Sequence, residues 1–234
     1  MKSLLFTFAF ICTLNTTFAQ SPRARVQTNI TGDVESYDVR GRNGWAWKRK
    51  VTFGDFATSR VRGGWRTYHQ FPFILTFSRA RQRFSYTQYG PDSLRAEYWG
   101  VFIHEQTDLP VLGRYFQIPL RYNQYMAGNV FVPSSNKLYE FVLNYPEINT
   151  RLTPTEGRIF DQEGFTIQIR GIQRMEQMNF NLPTNLGFEF LIDNEVVAVV
   201  DGMVHGRVHF RRNLSDEHKT VLAAVMNGVL LRTH

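Results

Sequence analysis

The sequence predicts an all-β protein, an antiparallel β-sandwich, with two such sandwiches in tandem. Three observations carry that prediction. The first is the stretch Phe188 to Leu214, where Phe188, Phe190 and Ile192 alternate with Glu189 and Leu191 and Asp193-Asn194 turns the chain. Val196 to Val200 then forms a β-branched run, and Asp201-Gly202 carries the signature of a two-residue type I′ hairpin turn, where both central residues need φ > 0. Apolar residues do not recur there at i, i+3, i+4 and i+7, as an amphipathic helix requires. The second is period-two alternation elsewhere: Phe71, Phe73, Leu75 and Phe77; Tyr139, Phe141 and Leu143; and Phe165, Ile167 and Ile169 opposite Thr166, Gln168 and Arg170. The third is cysteine usage. The sole cysteine, Cys12, lies in an N-terminal leader, so a chain that is 43% hydrophobic and 15% aromatic must close its core by sheet packing rather than by disulfides.

In chain order, Met1 to Ala19 reads as a secretory signal. Lys2 is its positive end, Leu4 to Leu14 its apolar core, and Thr17-Phe18-Ala19 a small-x-small cleavage site. The apolar run is shorter than the roughly 20 residues needed to span a bilayer, and no second run of that length follows. The expectation is a secreted, extracellular product without a membrane span. Ser21 to Gln27 reads as a loose basic arm. Trp45 and Trp47 alternate with Ala46 and Lys48 as in a strand, Gly63-Gly64 punctuates before Trp65, and Phe71 to Phe77 reads as a half-buried strand. Arg79 to Arg83 reads as a basic turn before Phe84 and Tyr86, and Tyr89-Gly90-Pro91-Asp92 as another turn.

Beyond Pro110, Arg114 to Arg121 alternates loosely, Asn123-Gln124 reads as a turn, Tyr125 to Val132 as a strand broken by Gly128, and Ser134 to Asn136 as a loop. Glu147 to Gly164 reads as polar loop. Val221 to Leu231 has good helix formers, but Asn227-Gly228 ahead of Val229-Leu230-Leu231 favours a strand and hairpin.

The net charge of +7 is uneven. Residues 20–110 hold fourteen basic against eight acidic side chains, whereas residues 111–234 hold twelve of each. All four tryptophans, Trp45, Trp47, Trp65 and Trp99, lie in the first half. A domain boundary is therefore placed at Leu109-Pro110, giving domains 20–109 and 110–234. Trp45-Ala-Trp47-Lys-Arg-Lys mixes stacking rings with cations, as nucleic-acid surfaces do. The leader argues against nucleic acid and for acidic or sulfated glycans or anionic cell surfaces. Core tryptophans followed by a solvated charged turn explain the motif equally simply.

Several segments resemble a galectin carbohydrate-recognition domain. In the second half these are Pro119-Leu120, Gln124, Gly128-Asn-Val130 and Tyr139-Glu-Phe141-Val-Leu143, then Phe188-Glu189, Ile192, Val196 to Val200, Asp201-Gly202, Phe210 and Arg211-Arg212. Gly63-Gly64-Trp65, Phe71-Pro72-Phe73 and Phe84 to Gly90 resemble a fainter copy in the first half. The resemblance implies a concanavalin-like jelly roll and a non-catalytic lectin that binds glycans or glycoproteins, with no cofactor and no metal. That family reads sugar hydroxyls with H-x-N-P-R and W-G-x-E-x-R patterns, because hydroxyls need paired donors and acceptors and the sugar's apolar face stacks on tryptophan. Those patterns are mostly absent here, which puts β-galactoside binding in doubt. The polar and aromatic residues at corresponding places are Trp65 with Arg60 and Arg62 in the first half, and Gln168, Arg170 and Glu176 in the second. An interaction or structural module that has lost sugar binding is the alternative.

Other constellations are weaker. His205 and His209 share a strand face without a third ligand at useful spacing. Asp161 and Glu163 form a pair of the type glycosidases use, but beside Gln162 they read as solvated loop charge. There is no glycine-rich phosphate loop and no G-x-S-x-G elbow. Sequons at Asn29 and Asn213 fall at expected turns and are candidate glycosylation sites.

Overall fold

The computed structural model describes residues 25–42, 50–63, 67–72, 76–110, 117–145, 155–182, 184–203 and 206–232. The fold is all-β and antiparallel. In order the strands are β1 (Val34–Asp38), β2 (Thr52–Phe53), β3 (Phe56–Thr58), β4 (Arg62–Gly63), β5 (Thr67–Pro72), β6 (Thr76–Tyr89), β7 (Arg95–Pro110), β8 (Gln117–Val132), β9 (Lys137–Tyr145), β10 (Glu156–Asp161), β11 (Thr166–Ile172), β12 (Gly187–Ile192), β13 (Glu195–Asp201) and β14 (Arg207–Arg211). One helix follows, α1 (Asp216–Arg232).

All fourteen strands belong to a single sheet, ordered β1-β14-β13-β12-β11-β10-β9-β8-β7-β6-β3-β2, with β4 and β5 also paired to β6. The described strands do not divide into two sandwiches. The chemical break at Leu109-Pro110 falls inside a hairpin, because β7 and β8 pair from Glu97↔Phe131 to Pro110↔Gln117. The two ends of the sheet meet where Arg40 and Thr52 exchange backbone hydrogen bonds of 2.8 and 3.0 Å. Closure leaves one inner and one outer face, so side chains along each strand alternate between them.

The helix lies against the inner face. Val221 to Met226, Val229 and Leu230 are buried, and they pack with Tyr86, Tyr98, Met126, Val130, Tyr139, Phe141, Phe190 and Phe210 in one cluster. Here the structure corrects the strand-and-hairpin expectation for Val221 to Leu231. The run has no polar stripe because every side of the helix is buried, so apolar periodicity does not reveal it. Its start does follow helix rules: the Ser215 hydroxyl accepts the His218 N–H at 3.2 Å, and Asp216 and Glu217 face the positive end of the helix dipole. Gly228 is helical, not a turn. A Cβ there would sit 2.4 Å from the Tyr98 hydroxyl oxygen, and one on Gly100 would sit 2.5 Å from it. The two glycines make the space that the buried tyrosine fills.

Tyr86, Gln88 and Asn227 are paired across the helix–sheet contact. The Tyr86 hydroxyl donates to the Ala224 carbonyl, and the Asn227 amide donates to Gln88 Oε1 at 2.7 Å. Gln88 in turn donates to the Ala57 carbonyl at 3.2 Å.

Several local expectations hold. Tyr139, Phe141 and Leu143 of β9, and Ile167 and Ile169 of β11, point inward with polar neighbours outward. Asp193 and Asn194 have φ of 50° and 64°, the geometry of a type I′ turn. Other expectations change. Asp201-Gly202 is not a two-residue turn: β13 ends at Asp201, β14 begins at Arg207, and the positive φ is at Gly206. Phe71 to Phe77 spans a hairpin in which Phe71 pairs with Phe77. Arg79 to Arg83 lies within β6, Asn123-Gln124 within β8, and Glu156–Asp161 is a strand rather than loop.

A second apolar cluster sits on the outer face. Leu191, Val196, Val199 and Ile172 pack with Val26 and Ile30 of the N-terminal segment. Val26 bridges Met175, and the Asn29 N–H donates to Glu189 Oε1 at 3.1 Å. Residues 25–30 thus form a strap rather than a loose arm; Ser21 to Ala24 lie outside the described residues. Trp45 and Trp47 lie outside them as well.

Two outcomes follow. Leu222→Ala, in the buried helix, should lower unfolding free energy by about 2–5 kcal/mol in chemical denaturation. On β14, His209 is bonded to the Ser36 hydroxyl at 2.7 Å. Burial, then the positive charges of Arg207 and Arg25, hold its imidazole down to about 4. As pH falls, the unfolded chain therefore takes up this proton first, near the ordinary histidine value. Stability should be full above about pH 6.5 and decline toward pH 4, with a shallower decline in His209→Gln when thermal unfolding is followed against pH.

Candidate functional site

Of the six residues singled out by sequence, the structure describes five and separates them into two groups. Arg60 and Arg62 lie on the segment between β3 and β5, and line a groove on the outer face. Trp65 lies outside the described residues. Gln168 and Arg170 point outward from β11, and Glu176 follows that strand, its N–H bonded to the Arg25 carbonyl. From β6 to β11 the sheet takes five strand steps, which at the usual interstrand spacing is about 24 Å along the sheet. One ligand-binding surface does not include both groups.

Arg170 has a structural role. Its guanidinium donates to Glu189 Oε2 at 2.6 Å, and Glu189 is nearly fully buried beneath the N-terminal strap, whose Asn29 N–H it also accepts. An unpaired carboxylate there would be costly, so the arginine and the strap N–H stabilise it together. Asp161 and Glu163 also have structural partners. Asp161 Oδ1 accepts the N–H groups of Glu163 and Phe165, both at 2.9 Å, and shapes the β10–β11 turn, while Glu163 pairs with Lys137 at 2.7 Å. His205 lies outside the described residues. Asn29 and Asn213 are both exposed, one in the strap and one in the turn after β14.

The groove encloses about 890 Å³ between residues 59–63 and the outer face of β6 and β7. Its construction follows from strand alternation. Tyr86, Gln88, Ala96 and Tyr98 point inward and are buried, so Ser85, Thr87 and Tyr89 of β6 and Glu97 and Trp99 of β7 point outward. The 59–63 segment is fastened alongside: the Ser59 N–H donates to the Thr87 carbonyl at 2.7 Å, and the Ser59 hydroxyl accepts the Thr87 N–H at 2.9 Å. Arg62 then faces Ser85, which faces Trp99. Tyr89 and Trp99 are each 44% exposed, unusual for rings of that size in a protein with so large a core. Trp99 is held in register by a close approach of β7 and β8: a Cβ on Gly128 would lie 2.0 Å from the Trp99 carbonyl oxygen.

The groove thus offers two open aromatic faces, hydroxyls from Ser59, Ser85 and Thr87, the guanidinium of Arg62 and the carboxylate of Glu97. Sequence reasoning found Arg60 and Arg62 but missed Trp99. The available signal was phase, because Trp99 is in phase with Arg95 and Glu97, the polar face of its strand, and not with Ala96 and Tyr98. Among the described residues, no group of three or more histidine, cysteine or acidic side chains is placed to hold a metal ion, and no helix is long and apolar enough to cross a membrane.

No protein-family model, curated protein or solved structure matches this chain.

Arg170→Ala should cost about 1–3 kcal/mol in denaturant unfolding, because the buried Glu189 loses a charged partner. The same substitution should leave ligand binding in the groove unchanged, which a binding isotherm of the refolded variant checks.

Proposed function

We propose that this is a secreted, non-catalytic carbohydrate-binding protein that holds a glycan, free or on a glycoprotein, in the groove beside Trp99. The observation that carries the reading is the pair of half-exposed rings, Trp99 and Tyr89, in a groove that also offers hydroxyl and charged groups. Sugar rings present apolar C–H faces and a rim of hydroxyls. Aromatic faces with neighbouring donors and acceptors match both. In strand geometry the Cα atoms of Tyr89 and Trp99 are roughly 14 Å apart, which suits an oligosaccharide better than a single sugar. The extracellular setting rests on the Met1 to Ala19 leader. The galectin resemblance supports a sugar-binding role only in general terms, because the residues involved here differ from those its pattern names.

A second reading is a protein-interaction module. It is favoured by the outward row of Val101, Ala127 and Val142, which register side by side across β7, β8 and β9, with Val142 38% exposed. A partner whose binding survives glycan removal and free-sugar competition distinguishes it.

A glycan array with the mature protein tests the first reading. Trp99→Ala should weaken binding by about tenfold or more, since a buried aromatic contact contributes on the order of 1–3 kcal/mol. Absence of binding to every neutral and acidic glycan at low salt would refute it.

A further inference from the structure

We propose that the groove selects an acidic saccharide, a chain bearing sulfate or carboxylate groups, and that Arg62 and Arg83 are the residues that read its charge. The proposal rests on the groove being a saccharide site.

Among the described residues, the arginines differ in their partners. Arg170, Arg207, Arg211 and Arg212 each pair with a carboxylate, namely Glu189, Asp38, Glu195 and Asp33. Arg62, Arg81 and Arg83 form no ion pair among the described residues, and Arg62 and Arg83 are exposed. Their positions follow from register. Arg62 shares a row with Ser85 and Trp99, so its Cα lies roughly 10 Å from that of the tryptophan, two strand spacings away. An extended guanidinium covers most of that distance. Arg83 and Arg81 follow on the outward face of β6 beyond the residues that line the groove, facing Val101 and Ile103, at intervals of about 7 Å, with Glu105 of β7 two residues past Ile103.

The carboxylate in the groove lies on the other side of the ring. Glu97 faces Thr87, two residues from Trp99 in the direction away from Arg83. The site therefore has polarity along the strands, with an acceptor at the Glu97 end, a stacking face at Trp99, and cations from Arg62 through Arg83 to Arg81. A neutral glycan uses the first two. A chain with a repeated anionic group also meets Arg62 and Arg83, which form no ion pair among the described residues. Guanidinium suits this task, because it gives sulfate or carboxylate two parallel hydrogen bonds and stays charged at any physiological pH.

The test measures binding of the mature protein to dextran sulfate, polygalacturonate and neutral dextran at low and high salt, for wild type, Trp99→Ala and the double substitution Arg62→Gln with Arg83→Gln. Dextran sulfate and polygalacturonate separate sulfate from carboxylate. At least one of them should bind about tenfold or more tightly than dextran, and its affinity should fall as salt rises. The double variant should lose that advantage, so that its affinity for the acidic chains falls to its own affinity for neutral dextran. Trp99→Ala should weaken acidic and neutral saccharides alike. Thermal unfolding of each variant at the wild-type temperature shows that the surface changes leave the fold intact. Equal binding of acidic and neutral chains overturns the charge selection while leaving the groove a saccharide site. No binding to any saccharide overturns both. Equal binding of polyacrylate, indifferent to Trp99→Ala, would also overturn the proposal, showing a surface that reads charge alone.

Discussion

The fold depends on the burial of α1 by the sheet that surrounds it. Twelve strands lie on the closed path of the sheet. A ring of about eight strands is just wide enough for side chains to fill the interior, so a wider one needs something further inside. The helix supplies it, and the two surfaces are fitted by size. Large inward rings from the sheet, Tyr98, Tyr139, Phe190 and Phe210, share one cluster with small helical residues, Ala223 and Ala224, and Gly228 lies under the Tyr98 hydroxyl. This is the alternation of large and small that lets a core reach native density. Among the described residues the sheet has no other inner core to fall back on. Its assembly therefore waits for the last residues of the chain to meet strands more than a hundred residues earlier, a pattern of long-range contact that slows folding.

An inner face committed wholly to the helix leaves the outer face to vary along the sheet. Over β12 and β13, and at Ile172 where β11 ends, the outside is largely apolar too, and the strap of residues 25–30 covers it. That cover explains why Val196 to Val200 is a continuous apolar run rather than an alternating one: both faces of the strand are buried, as in sheets with layers on both sides. Over β6 and β7 the outer residues are instead Arg, Ser, Thr, Glu and two aromatic rings, and the 59–63 segment runs beside them. The groove exists because the sheet needs no second layer there.

How much of this could be read from the sequence varied with environment. Strands with one wet face, such as β9 and β11, were plain from alternation, and so was the turn at Asp193-Asn194. The long strands β6, β7 and β8 were harder, since polar groups such as Arg79 to Arg83 and Asn123-Gln124 look like turns in sequence but continue a strand in space. The helix was hidden because an element buried on every side has no period to detect. Sequence also could not show closure, which rests on one backbone bridge between Arg40 and Thr52 whose side chains carry no signal. Of the candidate site, Arg60 and Arg62 were legible as a basic cluster. Gln168 and Arg170 lie away from the groove, and sequence could not separate the two places, because a strand's wet face looks the same whether it lines a groove or, like Arg170, supports a buried carboxylate.

The uneven charge of the chain also acquires a cause. Residues 20–110 have a surplus of basic side chains, and pairing makes the surplus larger in effect. β1 lies against β14, and its neighbourhood gives Asp33, Glu35 and Asp38 to Arg212, Lys219 and Arg207 of the second half. Such surface pairs add little stability each, but they consume three of the first half's acids. β6, which carries Arg81 and Arg83 and pairs with Arg62, lies three strand steps from β1 through the Arg40–Thr52 closure, roughly 14 Å, still beyond the screening length at physiological salt. The basic surplus along β4 and β6 is therefore a product of topology as well as composition: the acids of β1 and its flanks are paired with cations of the second half, while Glu97 stays beside Trp99.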